Sequence, residues 1–123
     1  MSRKQDLTAF IQSTFRSVWA LELLRFLRQN RERGLSHAEM VAGLRGSDLV
    51  VTQSVESLAA AGLVLAEADG SARYRPASDA LDELAGRAEA LYAKSPDAVR
   101  RLIVAATNPG LAAFADAFKL RRD

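Results

Sequence analysis

Apolar residues recur at helical spacing along most of this chain, and short polar or glycine-bearing breaks divide the pattern into segments. From about Leu7 to Arg33 there is neither proline nor glycine. Leu7, Phe10, Ile11 and Phe15 fall on one helical stripe, and Val18, Leu21, Leu24 and Leu27 on a second. Trp19, Leu23 and Phe26 add another side, so residues 18–27 are apolar around more than half the circumference. Such a helix belongs at the centre of a core or in a dimer interface. Thr14 or Ser17 can cap a fresh helix, which predicts a break near residues 14–17. The first, shorter helix then becomes an arm, and its stripe has no evident partner in a small core. That predicts packing on a second copy, as a homodimer.

The next stretch carries the clearest punctuation. Leu35-Ser36-His37-Ala38-Glu39-Met40 predicts a helix start, with Ser36 as N-cap, Glu39 completing a capping box and Leu35 stapled on Met40. Gly43-Leu44-Arg45-Gly46-Ser47 breaks that helix and supplies a new cap. A helix over Leu49–Ala61 follows, with Val51, Val55 and Leu58 inward and Gly62 as its C-terminal stop. Thr52, Gln53, Glu56, Ser57 and Ala60 then face outward, with Ser54 on the flank. Val64–Ala68 and Ala72–Arg75 read as two strands around an Asp69-Gly70 turn. A two-residue turn puts Tyr74 across from about Leu65.

Three more helices are predicted, more than a minimal core of this kind needs, and they either fold back on the first helix or pair with a second copy. Ser78 caps one that runs to about Lys94, with Leu81, Leu84, Ala88 and Leu91 as its stripe. Ser95-Pro96 opens another, with Val99, Leu102, Ile103 and Ala106 inward and Arg100 and Arg101 facing away. Asn108-Pro109-Gly110 opens the last, lined by Leu111, Phe114, Ala115 and Phe118; the two phenylalanines suit a core better than a ligand pocket. The fold class expected is mainly α with a small two-stranded antiparallel hairpin (α+β). It is one domain over residues 1–123: arm and first main helix at 1–33, helix-turn-helix and hairpin at 34–76, C-terminal helices at 77–123.

The order helix, turn, helix, hairpin resembles the winged helix-turn-helix family in its bacterial MarR-, ArsR- and PadR-like form. Ser54-Val55-Glu56-Ser57-Leu58-Ala59-Ala60-Ala61-Gly62-Leu63-Val64 carries the resemblance, with its Leu-x-x-x-Gly-Leu-Val step into the wing. It covers roughly a third of the chain and speaks for fold more than function. It implies that the helix over Leu49–Ala61 enters the major groove of double-stranded DNA. Gln53 can read adenine, and Thr52, Ser54 and Ser57 can reach bases or phosphates. Arg45, and Arg73 and Arg75 on one strand face, can hold the backbone; the hairpin arginines can equally balance Glu67 and Asp69 in the same hairpin.

Charge complicates this picture. The chain carries a net +2, unevenly spread. Residues 1–33 hold seven Lys/Arg against three Asp/Glu, residues 34–78 three against five, and residues 79–123 seven against seven. The segment expected to read DNA is therefore the acidic one, and its reading helix has no Lys or Arg while Asp48 and Glu56 repel phosphate. The alternative is a protein–protein interaction module that keeps the fold and does not bind DNA. Arg25, Arg28, Arg31 and Arg33 near one helix end either suit the helix dipole or form a phosphate patch.

Other chemistry is sparse. There is no cysteine, hence no disulfide and no thiolate site. The single histidine, His37, makes no metal site alone. Gly43-Leu44-Arg45-Gly46 matches the G-x-x-G loop of KH domains, but a strongly helical segment precedes it where that fold needs strands. Asp79, Asp82 and Glu83 suit a helix N-terminus rather than acid–base catalysis. No enzyme, cofactor or metal is expected. The charged opening Met1–Asp6 lacks a signal-peptide run, and no segment reaches membrane-spanning length, so a cytoplasmic protein without membrane contact is expected.

Overall fold

The computed structural model describes residues Arg3–Thr107. Their order is α1 (Arg3–Thr14), α2 (Val18–Gln29), α3 (His37–Leu44), α4 (Asp48–Ala60), β1 (Val64–Ala66), β2 (Ala72–Tyr74), α5 (Asp79–Lys94) and α6 (Pro96–Thr107). The protein is mainly helical with a small antiparallel sheet. The helix expected after Asn108, with Phe114 and Phe118, lies outside the described residues. No helix among the described residues is long and apolar enough to cross a membrane.

Serine caps set the boundaries. Ser17, Ser36, Ser47 and Ser78 each accept a hydrogen bond from the backbone N–H three residues on. At Ser36 the capping box is complete, because Glu39 reaches back to the Ser36 N–H at 2.9 Å. α4 ends in a Schellman motif: Leu63 N–H bonds Leu58 C=O and Gly62 N–H bonds Ala59 C=O, each at 3.0 Å, with Gly62 at φ +78°. The turn between α3 and α4 works differently from expectation. Its left-handed residue is Arg45 (φ 56°), not a glycine. Gly43 instead lies inside α3, where a Cβ would stand 2.4 Å from Phe26 Cε2, so its smallness lets α3 sit close to α2.

α2 lies at the centre, packed against α3, α4 and β2, with Leu21, Leu23, Leu24 and Leu27 buried. α1 is covered by α5 and α6 of the same chain. Its stripe of Leu7, Phe10, Ile11 and Phe15 is buried there. The expectation that this stripe needs a second copy is therefore corrected: the C-terminal helices fold back over it. α5 also turns otherwise than expected. Ala85, Ala88 and Tyr92 are its buried residues, while Leu81, Leu84 and Leu91 flank them half-exposed. Small residues hold the line of closest approach, and the leucines close over its edges. On α6, Val99 and Ile103 are buried and Ala106 is exposed.

The hairpin register differs by one residue from the two-residue-turn expectation. Val64 pairs with Tyr74, Leu65 with Arg73 and Ala66 with Ala72. The cause is a longer loop. Gly70 N–H bonds Glu67 C=O, Gly70 takes φ +89°, and Glu67 N–H bonds Ser71 C=O at 2.8 Å. This is a three-residue connection, a turn followed by a left-handed glycine. Asp69 closes it by accepting from the Ser71 N–H and hydroxyl. Leu65 thus turns outward beside Arg73, and Tyr74 inward beside Val64. A third strand-like pairing joins them: Leu35 exchanges two backbone hydrogen bonds with Ala72, at 2.8 and 2.9 Å.

Candidate nucleic-acid interface

α4 buries Val51, Val55 and Leu58 against the core and turns Asp48, Leu49, Thr52, Gln53, Glu56 and Ala60 to solvent. Thr52 and Gln53 therefore stand where the sequence predicts. Ser54 does not. It is 3% exposed and faces inward beside Val55, so its place on the reading surface is corrected; one residue of helical rotation carries it from flank to core. Ser57 is half-buried, and its hydroxyl donates to the Thr14 carbonyl at 3.4 Å, which ties α4 to the end of α1.

Three candidate cations come from the elements before and after α4. Arg45 caps the end of α3 one turn before α4, and Arg73 and Arg75 project from the outer side of the hairpin. All three are exposed, and among the described residues none has an ion-pair partner. Arg16, at the α1–α2 junction, joins them and lines a groove with Gln53 and Glu56. The acids are partly engaged. Glu39 takes Arg33 at 2.7 Å; the Arg33 hydrogen bond and the Ser36 N–H hold its carboxyl down to about 2. Asp48 meets His37 Nε2 at 2.9 Å. Asp69 is kept below the usual carboxylate range by the Ser71 hydroxyl and N–H. Glu56 and Glu67 face a small cleft between α4 and the hairpin.

A charge cluster centred on Arg28 links the hairpin to the helices. Arg28, with its side chain 11% exposed, pairs with Glu89 at 2.6 Å, lies 3.9 Å from Asp82 and stacks on the Tyr74 ring at 5.3 Å. The Tyr74 hydroxyl donates to Asp82 at 2.5 Å, and burial followed by that bond pushes its pKa up to about 12. Gly86 leaves room for the guanidinium, since a Cβ there would approach Arg28 Nη2 to 3.2 Å. Arg28 is thus spent internally, Arg33 pairs at the surface with Glu39, and Arg25 pairs with Glu22 at 3.6 Å while stacking over Tyr92. Arg28 does lie in the last turn of α2, where the helix dipole favours it, and its partner Glu89, 61 residues away in α5, adds an anchoring role that spacing along the chain does not show.

Two apolar residues beside α4 escape the sequence reading. Trp19 is 41% exposed and Leu49 64%. The indole rests near Gly46 in the α3–α4 turn and walls a groove of about 480 Å³ that also holds Arg16, Val50, Gln53 and Ser57. The signal was the width of the apolar face of α2: an arc above half a circle leaves some residue outside any single contact. Among the described residues no group of three His, Cys, Asp or Glu is placed to hold a metal ion. No family model, curated protein or solved structure matches the chain in the three comparisons made.

Proposed function

We propose that the chain is a winged helix-turn-helix transcriptional regulator that binds double-stranded DNA, with α3 and α4 as the helix-turn-helix and β1–β2 as the wing. What supports this is the exposure of Thr52 and Gln53 on α4 together with that of Arg45 in the α3–α4 turn and of Arg73 and Arg75 in and just after β2, three arginines without an ion-pair partner among the described residues. Gln53 reads a base edge in the major groove, and the arginines neutralise phosphates. The locally acidic composition is offset in part, because Arg16 lines a groove with Gln53 and Glu56 and Arg33 pairs with Glu39, both from outside the segment.

A two-fold operator calls for two copies. Since α1 is covered within the chain, a homodimer of this protein uses another face. Titration of a fluorescein-labelled duplex at low ionic strength tests DNA binding by anisotropy. Saturable binding that weakens steeply with salt supports the reading, and no binding at low salt removes it.

A second reading has its own support. Leu49 and Trp19 are exposed next to α4, and Asp48 and Glu56 lie on its outer face. Exposed apolar residues rimmed by acids suit a protein partner. On that reading Leu49→Ala abolishes partner capture, and Arg73→Gln leaves it intact.

A further inference from the structure

A second cleft, on the other side of Trp19, remains outside the DNA reading. It measures about 450 Å³ and is lined by Val18, Trp19, Glu22, Gly43, Leu44, Tyr92 and Arg100. Its volume lies in the range that holds small molecules. The walls divide by chemistry. Val18, Trp19 and Leu44 make an apolar side. Opposite charges meet at one end, where Glu22 and Arg100 both reach the Tyr92 hydroxyl. The Arg100 Nη2 lies 3.4 Å from that oxygen, and its guanidinium also stacks over the ring at 5.7 Å. A carboxylate and a guanidinium that meet at one phenol oxygen present complementary poles at that end of the cleft.

From this arrangement we propose that the cleft binds a free α-amino acid with an apolar side chain. The ligand carboxylate pairs with Arg100, its ammonium with Glu22, and its side chain lies along Trp19, Val18 and Leu44. Arg100 has capacity for this contact. It spends Nη1 on Asp97, an exposed i,i+3 pair at 2.9 Å, and a guanidinium carries five donors. Exposed pairs of that kind are weak, so exchange of Asp97 for a ligand carboxylate costs little. Glu22 has Arg25 at 3.6 Å, a long contact that leaves carboxylate lone pairs free for an ammonium. A zwitterion meets both poles at once and a ligand with one charge meets only one, which favours zwitterions.

Trp19 is the only tryptophan in the chain and forms a wall of the cleft. Its indole also borders the groove that holds Gln53. Occupancy then alters the surroundings of α4; that consequence alone rests on the DNA reading, and the binding test below does not.

The test is titration of the full chain with L-leucine, L-isoleucine or L-phenylalanine, read by Trp19 fluorescence excited at the red edge of its absorption. A saturable change is expected with at least one of them. L-leucinamide, which lacks the carboxylate, and 4-methylpentanoate, which lacks the ammonium, bind at least about tenfold more weakly, the worth of one charge-assisted contact. Arg100→Gln and Glu22→Gln each weaken leucine about tenfold, with circular dichroism confirming the fold. The Arg100→Gln variant also narrows the gap between leucine and leucinamide, which a loss of structure alone does not do. No saturable change up to about 10 mM of all three amino acids overturns the proposal. So does equal affinity for leucine and its two singly charged analogues.

Discussion

Salt dependence separates the roles assigned to the arginines and to Gln53. Each chain offers Arg45, Arg73 and Arg75 as exposed cations without an ion-pair partner among the described residues. If each neutralises one phosphate, log Kd against log salt has a slope of about 2.7 per chain, at roughly 0.9 per phosphate. A rise from about 50 to 200 mM salt then weakens binding about fortyfold for one chain, and about two-thousandfold for a dimer with six contacts. Replacing Arg73 and Arg75 by Gln leaves one contact per chain, and the same rise then costs only about fourfold per chain. Gln53→Ala behaves differently. It removes a base contact, worth roughly 1–3 kcal/mol on a selected target, and leaves the slope unchanged. The assay is anisotropy on a random duplex and on a fragment selected from a pool, each at several salt concentrations. A slope untouched by Arg73→Gln/Arg75→Gln refutes the assignment of the hairpin to the backbone. A slope that falls with Gln53→Ala refutes the division of labour between helix and hairpin.

Three further outcomes concern the scaffold. Gly43→Ala places a Cβ 2.4 Å from Phe26 Cε2; overpacking of about 1–3 kcal/mol outweighs the roughly 1 kcal/mol of helix propensity gained, so urea denaturation shows a net loss. In a Phe26→Leu background the same substitution becomes neutral or stabilising, and a loss of equal size there contradicts the contact. Tyr74 has its pKa raised to about 12 from an ordinary 10.0, so the folded state favours the neutral phenol; stability present below pH 10 declines as pH rises toward 12. Tyr74→Phe flattens that alkaline decline and costs about 1 kcal/mol at neutral pH through the lost bond to Asp82, both read by denaturant midpoints. Glu39 runs the other way. Its carboxyl is held at about 2 against an ordinary 4.5, so its contribution is complete above pH 4.5 and fades as pH falls toward 2; Glu39→Gln removes that part of the acid limb.

Local chemistry was legible in the sequence, and orientation was not. Ser17, Ser36, Ser47 and Ser78 announce helix starts because an N-cap is satisfied within its own first turn. Gly62 announces a stop for the same reason, since a Schellman motif closes within six residues. Which side of a helix faces inward depends on neighbours far along the chain. α5 shows this: its leucines advertise a stripe, yet Ala85 and Ala88 hold the contact line because α1 and α6 approach closely there. Ser54 shows it on the candidate site, where one step of rotation separates a base-reading hydroxyl from a buried one. The hairpin register was missed because Asp69-Gly70 suits either a two- or a three-residue connection, and the Glu67–Ser71 bond selects the latter. The Leu35–Ala72 pairing had no pattern to reveal it, being a single residue long.

Charge is the case where position overrides count. By sequence, residues 34–78 are acidic, which speaks against a phosphate-binding surface. In the fold, Arg33 reaches Glu39 and neutralises it, and Arg16 arrives from the α1–α2 junction beside Gln53. Electrostatic attraction to DNA acts over about a Debye length, roughly 10 Å, so it sums charges by distance and ignores chain order. The same cluster that removes Arg28 from any outer surface also anchors the hairpin, through Tyr74 and Asp82, to α2 and α5. Arg73 on β2 and Arg75 just after it therefore flank Tyr74, which a partly buried ion cluster holds. That holds them near one arrangement relative to α4 before any ligand binds, and lowers the entropy spent in bringing helix and hairpin together on one duplex. Loosening the anchor with Arg28→Met should then weaken binding on random and selected duplexes alike while leaving the salt slope at its original value, because the cations remain and only their preorganisation is lost.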